Sequence, residues 1–281
     1  MTAPVAVVLA ALCLLGGGCG SDSDGGPGSA TAPMTTAPEN PPPTTGESSE
    51  TDSGTGTEPA GPEAYEIWIV DRDFLRLVWR PGPSTDAVAA AALDLLLAEA
   101  AATAIPPGTE TLGIDLDENV ATVDLSGEFG LDGRRLRVAQ VVYTLTQFES
   151  VRSVEVLVDG EPLADLPGPH TRAEFEEDVA PIIVESPTGL EPVASPIVVS
   201  GTANVFEANV LITVLDDLGQ ELVATFATAT CGTGCRGDFE KAVAVPTPAE
   251  QAVTLVLAEE DASSGEGRPP YRVEVPLVLV P

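Results

Sequence analysis

TLGIDLDENVATVDL, running from Thr111 to Leu125, is the stretch on which the reading of this chain turns. Leu112, Ile114 and Leu116 alternate with Gly113, Asp115 and Asp117, and beyond Asp117-Glu118-Asn119 the residues Ala121, Val123 and Leu125 alternate with Thr122 and Asp124. A period of two sends successive side chains to opposite faces, so the stretch predicts a β-hairpin that turns at the acidic residues. On either side the period becomes that of a helix. Upstream, Ala89, Leu93, Leu96, Leu97 and Ala100 mark one face of a helix running to about Thr103. It is capped by Ser84 or Thr85, has Asp86 in its first turn, and is stopped by Pro106-Pro107-Gly108. Downstream, Val138, Val141, Val142, Leu145 and Phe148 do the same from about Gly133 to Glu149. Runs at 66–70 and 74–79 around Asp71-Arg72-Asp73, and at 154–158 before Asp159-Gly160, add three strands. Strand, strand, helix, strand, strand, helix, strand predicts an α+β domain over 64–165, a mixed α/β layer with its sheet covered on one side. Roughly 100 residues suffice for a core of its own.

Residues 166–180, rich in Pro, Gly and acids, read as a connector. From Pro181 the helical period disappears, and short β-rich runs recur at 182–184, 196–200, 209–215, 221–227, 239–245, 252–257 and 271–280. Their number and spacing predict an all-β immunoglobulin-like sandwich over 181–281. Pro276 interrupts the last run and is expected to bend that strand or place it at a sheet edge.

The N-terminus bears on the compartment. Residues 3–15 are an uncharged apolar run, too short to span a bilayer but right for a secretory h-region. It ends in Leu15-Gly16-Gly17-Gly18-Cys19, small residues before a cysteine, as signal peptidase II requires. Residues 1–19 therefore read as a lipoprotein signal peptide with Cys19 acylated by palmitate-type chains. That anchor would hold the protein to the extracytoplasmic face of the cell membrane. The leucine stands four residues before the cysteine instead of three, and the competing reading is an ordinary cleaved signal peptide with a chance cysteine. Residues 20–63 contain no aromatic or branched aliphatic side chain and are dominated by Ser, Thr, Gly, Pro, Ala and acids. Such a stretch cannot offset its ordering entropy and is expected to be a disordered spacer. As a coil it would reach roughly 35–40 Å.

A net charge of -32 and a pI near 4.1 would repel phosphate, which argues against nucleic acid as a partner and leaves membrane attachment to the lipid. Of the four cysteines, Cys13 lies in the apolar run and Cys19 is the acylation site. Cys231 and Cys235 remain, and outside the cytoplasm such a pair is expected as a disulfide. The alternative, half a zinc site, lacks partners, because His170 is the only histidine. There is no Gly-x-Ser-x-Gly, no P-loop and no His-Glu-x-x-His pattern. His170 reads as an exposed linker residue, and the acids at Asp115, Asp117 and Glu118, and at Asp216 and Asp217, as turn chemistry ahead of calcium ligands. No catalytic residue, cofactor or metal is predicted, and the chain reads as a non-enzyme. Arg134, Arg135 and Arg137 form the one basic cluster, a candidate partner-binding patch, against the plainer reading of a solvated helix end. Trp68 and Trp79 read as core or, alternatively, as a sugar-stacking platform.

Four pieces in order carry a resemblance: Ile105-Pro106-Pro107-Gly108-Thr109, then 120–126 (VATVDLS), 140–148 (QVVYTLTQF) and Val158-Asp159-Gly160. Together they resemble the GerMN domain of bacterial sporulation and spore-germination lipoproteins over about 65–165. Residues 195–203 (SPIVVSGTA), 205–210 (VFEANV) and 273–277 (VEVPL) resemble the immunoglobulin-like domain of bacterial spore-germination proteins over 181–281. The resemblance implies extracytoplasmic domains of the ring-building or partner-docking sort, with no catalytic residue to carry over. The expectation is thus a membrane-anchored, non-enzymatic scaffold of the cell envelope, bound to envelope proteins and related to sporulation or germination. The alternative is a lipoprotein that binds cell-wall glycan or peptidoglycan.

Overall fold

A computed structural model describes residues 63–99, 102–130, 134–261 and 269–281. The expected acylation site Cys19 and the spacer up to 62 lie outside the described residues, as do Ala100 and the side chain of Arg134. Among the described residues no helix is long and apolar enough to cross a membrane.

The described residues open with a hairpin of β1 (Glu63–Asp71) and β2 (Phe74–Gly82), turned by Arg72 and Asp73 at φ 50° and 70°. Two consecutive left-handed residues give a two-residue loop the twist of its strands. Helix α1 (Val88–Leu97) follows, then a second hairpin of β3 (Thr111–Asp117) and β4 (Val120–Leu125), turned the same way at Glu118 and Asn119. Helix α2 (Arg134–Leu145) crosses over to β5 (Ser153–Val158), which lies parallel to β4, and β6 (Glu161–Pro162) completes a sheet of order β3-β4-β5-β6.

This is the α+β class the periodicity predicts, with a different layering. The strands do not share one sheet covered on one side: β1 and β2 form their own, and α2 packs against both β1 and β5. Every residue of α2 from Val138 to Leu145 is buried. Helix α1 is shorter than expected, ending at Leu97, and its N-cap Ala87 has no side-chain cap bond. The Thr85 hydroxyl accepts instead from the Ala87 N–H at 3.1 Å, one step before the helix. Strand β3 is an edge strand, and its Leu112 and Leu116 stay 53% and 49% exposed.

The second domain runs through β7 (Ile182–Ser186), β8 (Val193–Ala194), β9 (Ile197–Ala203), β10 (Asn209–Asp216), β11 (Glu221–Thr228), β12 (Gly237–Val243), β13 (Gln251–Glu259) and β14 (Arg272–Val280). Two sheets, of order β12-β9-β7 and β11-β10-β13-β14-β8, make the expected sandwich. Val199, Val210, Ile212, Val214, Leu255 and Leu257 are fully buried. Each contributes about 1.5–3 kcal/mol of transfer free energy. Gly201 is required where β9 meets β7, because a Cβ there would collide with the Ile183 carbonyl. Pro276 does sit at an edge: β14 pairs with β8 only through Leu279 and Val280.

Residues 166–180 connect the domains as a packed strap. A 3-10 segment, Arg172–Asp178, is opened by a capping box between Thr171 and Glu174, and its Phe175 is fully buried. His170, expected to be an exposed linker residue, is 5% exposed. Its backbone exchanges hydrogen bonds with Val154 at 2.8 and 2.9 Å, which adds a rung to β5 and draws the ring inside. Nδ1 then lies 2.8 Å from Glu174 Oε2 and Nε2 3.1 Å from the Leu166 carbonyl.

Candidate functional site

The candidate site is a polar network that closes the edge of β1 within the first domain and continues into the seam with the sandwich. It starts at the hairpin. In β1 the backbone groups of Glu66, Trp68 and Val70 point away from β2, and each finds a partner there. Gln147 bonds both the N–H and the C=O of Glu66, at 3.0 and 2.9 Å. The Thr144 hydroxyl accepts from Trp68 N–H at 3.2 Å, and Gln140 Nε2 donates to Trp68 C=O at 2.8 Å. The Val70 N–H donates to the Ala102 carbonyl at 2.9 Å. Gln140, Thr144 and Gln147 recur at helical spacing, so α2 and the turn that follows it present a polar face to a strand edge. Sequence reading missed these three; the i, i+4, i+7 spacing was the available signal.

The strap lies across this arrangement. Arg172 sits over the rings of Tyr143 and Trp68, 5.0 and 5.5 Å from their centroids, donates to the Tyr143 carbonyl at 2.8 Å and pairs with Glu66 at 3.4 Å. The Tyr143 hydroxyl donates to the Arg172 carbonyl at 3.1 Å and lies 3.5 Å from Glu176. From the sandwich, Arg236 reaches Glu176 at 2.5 Å and donates to the Ala180 carbonyl at 3.0 Å. At the hairpin tip, Tyr271 meets Phe74 edge to face at 6.1 Å, and its hydroxyl lies 3.5 Å from Asp71. Burial first, and then the neighbouring carboxylates Glu176 and Asp71, push the Tyr143 and Tyr271 phenols up to about 12 each. Hydrogen bonds from His170 and from the Thr171 N–H hold Glu174 below the ordinary carboxylate range. Glu185, an exposed residue, is raised, chiefly by partial desolvation and next by Glu66 and Asp238.

Between these two fastenings runs a groove of about 230 Å³, with 76–80 of β2 on one wall and 273–276 of β14 on the other. Val184 and the 187–190 loop also line it. The Leu75 carbonyl accepts from Ala180 N–H at 2.8 Å, and Arg80 donates to the Trp79 carbonyl at 3.1 Å. Among the described residues the remaining outward groups of β2, Leu77 N–H and C=O and Trp79 N–H, have no protein partner.

The residues singled out from sequence are placed as follows. Arg135 pairs with Asp178 at 2.8 Å, donates to the Glu174 carbonyl and lies over the Phe175 ring, while half of its side chain stays exposed. Arg137 donates to the carbonyls of Ala104 and Phe129 at 2.7 and 3.0 Å. The two arginines thus serve different internal tasks and do not converge on one exposed patch. Trp68 is 4% exposed and cannot present a sugar platform; Trp79 is half-buried along the groove. Cys231 and Cys235 come together with their Cα atoms 5.7 Å apart, within the disulfide range. The Asp216 carboxylate accepts from the N–H groups of Leu218 and Gln220 at 2.9 and 2.7 Å, the turn role expected of it. Among the described residues no group of three or more His, Cys, Asp or Glu is placed to hold a metal ion.

Fold and seam define a two-domain protein, an α+β unit strapped to an immunoglobulin-like sandwich. Residues 66–164 match the family described as sporulation and spore germination (Germane), and 181–266 match the immunoglobulin-like domain of bacterial spore germination. One match falls on each domain, and the strap lies between them. Among solved structures, the first GerMN domain of the sporulation protein GerM from Bacillus subtilis is 19% identical, covers 42% of this chain and 97% of its own, with a TM-score of 0.32. The tandem GerMN domains of the same protein are 15% identical, with 78% of this chain and 61% of that one covered and a TM-score of 0.33. No curated protein matches the chain.

Proposed function

We propose that this chain is a lipid-anchored, extracytoplasmic lipoprotein that acts as a non-enzymatic docking scaffold of the cell envelope in a process related to sporulation or germination. The observation that carries the reading is the tandem of the two spore-germination families at 66–164 and 181–266, downstream of an apolar run that ends at Cys19. The seam supports it: Arg172, Glu176 and Arg236 bind the two domains to one another, so a partner meets one composite surface. In this reading Cys19 carries the lipid, 20–63 is the spacer, and a Cys231–Cys235 disulfide clamps the loop before β12.

The test is cross-linking in living cells, followed by capture of the protein and mass spectrometry, with versions that lack either domain. A defined set of envelope proteins, lost with one domain, supports docking; recovery of wall fragments alone sinks it in favour of glycan binding. Detergent-phase partitioning of the wild type and of Cys19→Ala tests the anchor, and equal partitioning would refute it.

A further inference from the structure

Building on the docking reading, we propose that the groove between β2 and β14 receives an extended segment of a protein partner as an added β-strand, with an acidic residue of that segment at Arg76. The register fixes which backbone groups face the groove. On β1 the outward groups are those of even-numbered residues, so on β2 they are those of Leu75, Leu77 and Trp79. On β14, the Glu259 N–H donates to the Tyr271 carbonyl, so odd-numbered residues face β13 and even-numbered ones face outward. Pro276, which has no N–H to lose, falls on the outward set, as this parity requires. The groove is therefore walled by two strand edges, Leu77 and Trp79 on one side and Glu274 on the other. Their donors and acceptors alternate at strand spacing, the pattern that main-chain recognition of an extended peptide uses. One end is closed by Gly189 at φ 77°, where a Cβ would lie 3.2 Å from the Pro276 carbonyl oxygen.

Two side chains along the same wall have buried donors without a partner, Arg76 Nε and Trp79 Nε1. Arg76 makes no ion pair among the described residues, although the chain has a net charge of -32. A half-buried guanidinium left unpaired in so acidic a protein fits a carboxylate supplied from outside.

The probe is a phage-displayed library of random decapeptides, selected on the full chain, with enriched sequences synthesised and titrated by fluorescence anisotropy. Enriched peptides should carry an Asp or Glu and should slow amide exchange at Leu77, Trp79 and Glu274. Glu274→Pro removes the outward N–H but no β13–β14 bond, and should weaken binding about tenfold. Glu274→Ala keeps the N–H and should bind within about twofold of wild type. Arg76→Glu should weaken binding more than tenfold. If Glu274→Pro unfolds, peptides N-methylated at alternate amides decide the matter on the wild type: loss at one parity only is the expected result. No enrichment over bare phage, or enriched peptides that bind Glu274→Pro and Arg76→Glu as they bind wild type, overturns the proposal. In cells the two readings separate. Partners kept by a folded Glu274→Pro protein sink the groove and leave docking standing, whereas capture of no protein by the wild type sinks both.

Discussion

The outward backbone groups of β1 at Glu66 and Trp68 are bonded by Gln147, Thr144 and Gln140, whereas those of β2 at Leu77 and Trp79 meet only the Arg80 side chain. The hairpin is one element with two differently treated edges. A two-stranded sheet is marginal alone, and an unpaired edge is a hazard. On the β1 side the protein closes the edge from within, by turning a polar helix face onto it. On the β2 side it closes the first rung, Leu75 with Ala180, and leaves the next open to the groove. The contrast separates stability from availability: the closed edge holds the domain together, and the open one remains for something else.

Emptying the buried site of the strap should have the largest effect. Phe175→Ala empties a fully buried site under the strap and should cost about 4 kcal/mol in chemical denaturation. Loss of under about 1 kcal/mol would mean that the strap does not contribute to the fold. Gln140→Ala attacks the closed edge: the Trp68 C=O and the Ala104 N–H both lose their partner, for about 3 kcal/mol. An unchanged denaturation midpoint would refute the role given to the polar face. Native-state hydrogen exchange compares the edges directly, with the Glu66 and Trp68 amides expected to exchange at least about a hundredfold more slowly than those of Leu77 and Trp79. Equal rates would erase the comparison.

The two tyrosines extend it to pH. A folded phenol near 12 against an ordinary 10 means that stability is complete below pH 10 and is lost as pH rises through 12. Unfolding free energies measured from pH 9 to 12 should fall for the wild type. Tyr143→Phe and Tyr271→Phe should each remove part of that slope, and a slope intact in both would contradict the burial argument. The smallest effect belongs to Glu185. Its raised folded value makes the ionised form unfavourable in the fold, so its contribution is best below the ordinary carboxylate range and declines as pH rises through it. Glu185→Gln should gain a few tenths of a kcal/mol at pH 7, after allowance for solvent screening, and nothing at pH 3. A loss at pH 7 would reverse the sign.

Much of the fold was legible because it is written in local periodicity. The alternation from Thr111 to Leu125 and the apolar stripe through Val138, Val141, Val142 and Leu145 each announce themselves within a dozen residues. The seam was not legible, because its meaning lies at a distance. Gln140, Thr144 and Gln147 look like a solvated helix face, and what makes them a buried one is the edge of a strand more than 70 residues earlier. The strap hides behind a linker's composition: Phe175 is buried where Arg135, α2 and the His170 ring come to it. His170 was misplaced for the same reason, since its rung with Val154 belongs to tertiary pairing. Arg135 and Arg137 share a helix end in sequence but are drawn to different carbonyls in space.

Pro276 has a consequence for how the protein behaves in a crowd. Fibrils grow when each molecule offers its neighbour an uninterrupted row of donors and acceptors, repeated without end. On β14 that row lacks a donor at Pro276, while β8 occupies Leu279 and Val280. The corresponding row on β2 is recessed in a groove lined by β14 and the 187–190 loop. A single slender chain can thread in, whereas along β2 and β14 the row that a neighbouring copy would extend is recessed or interrupted.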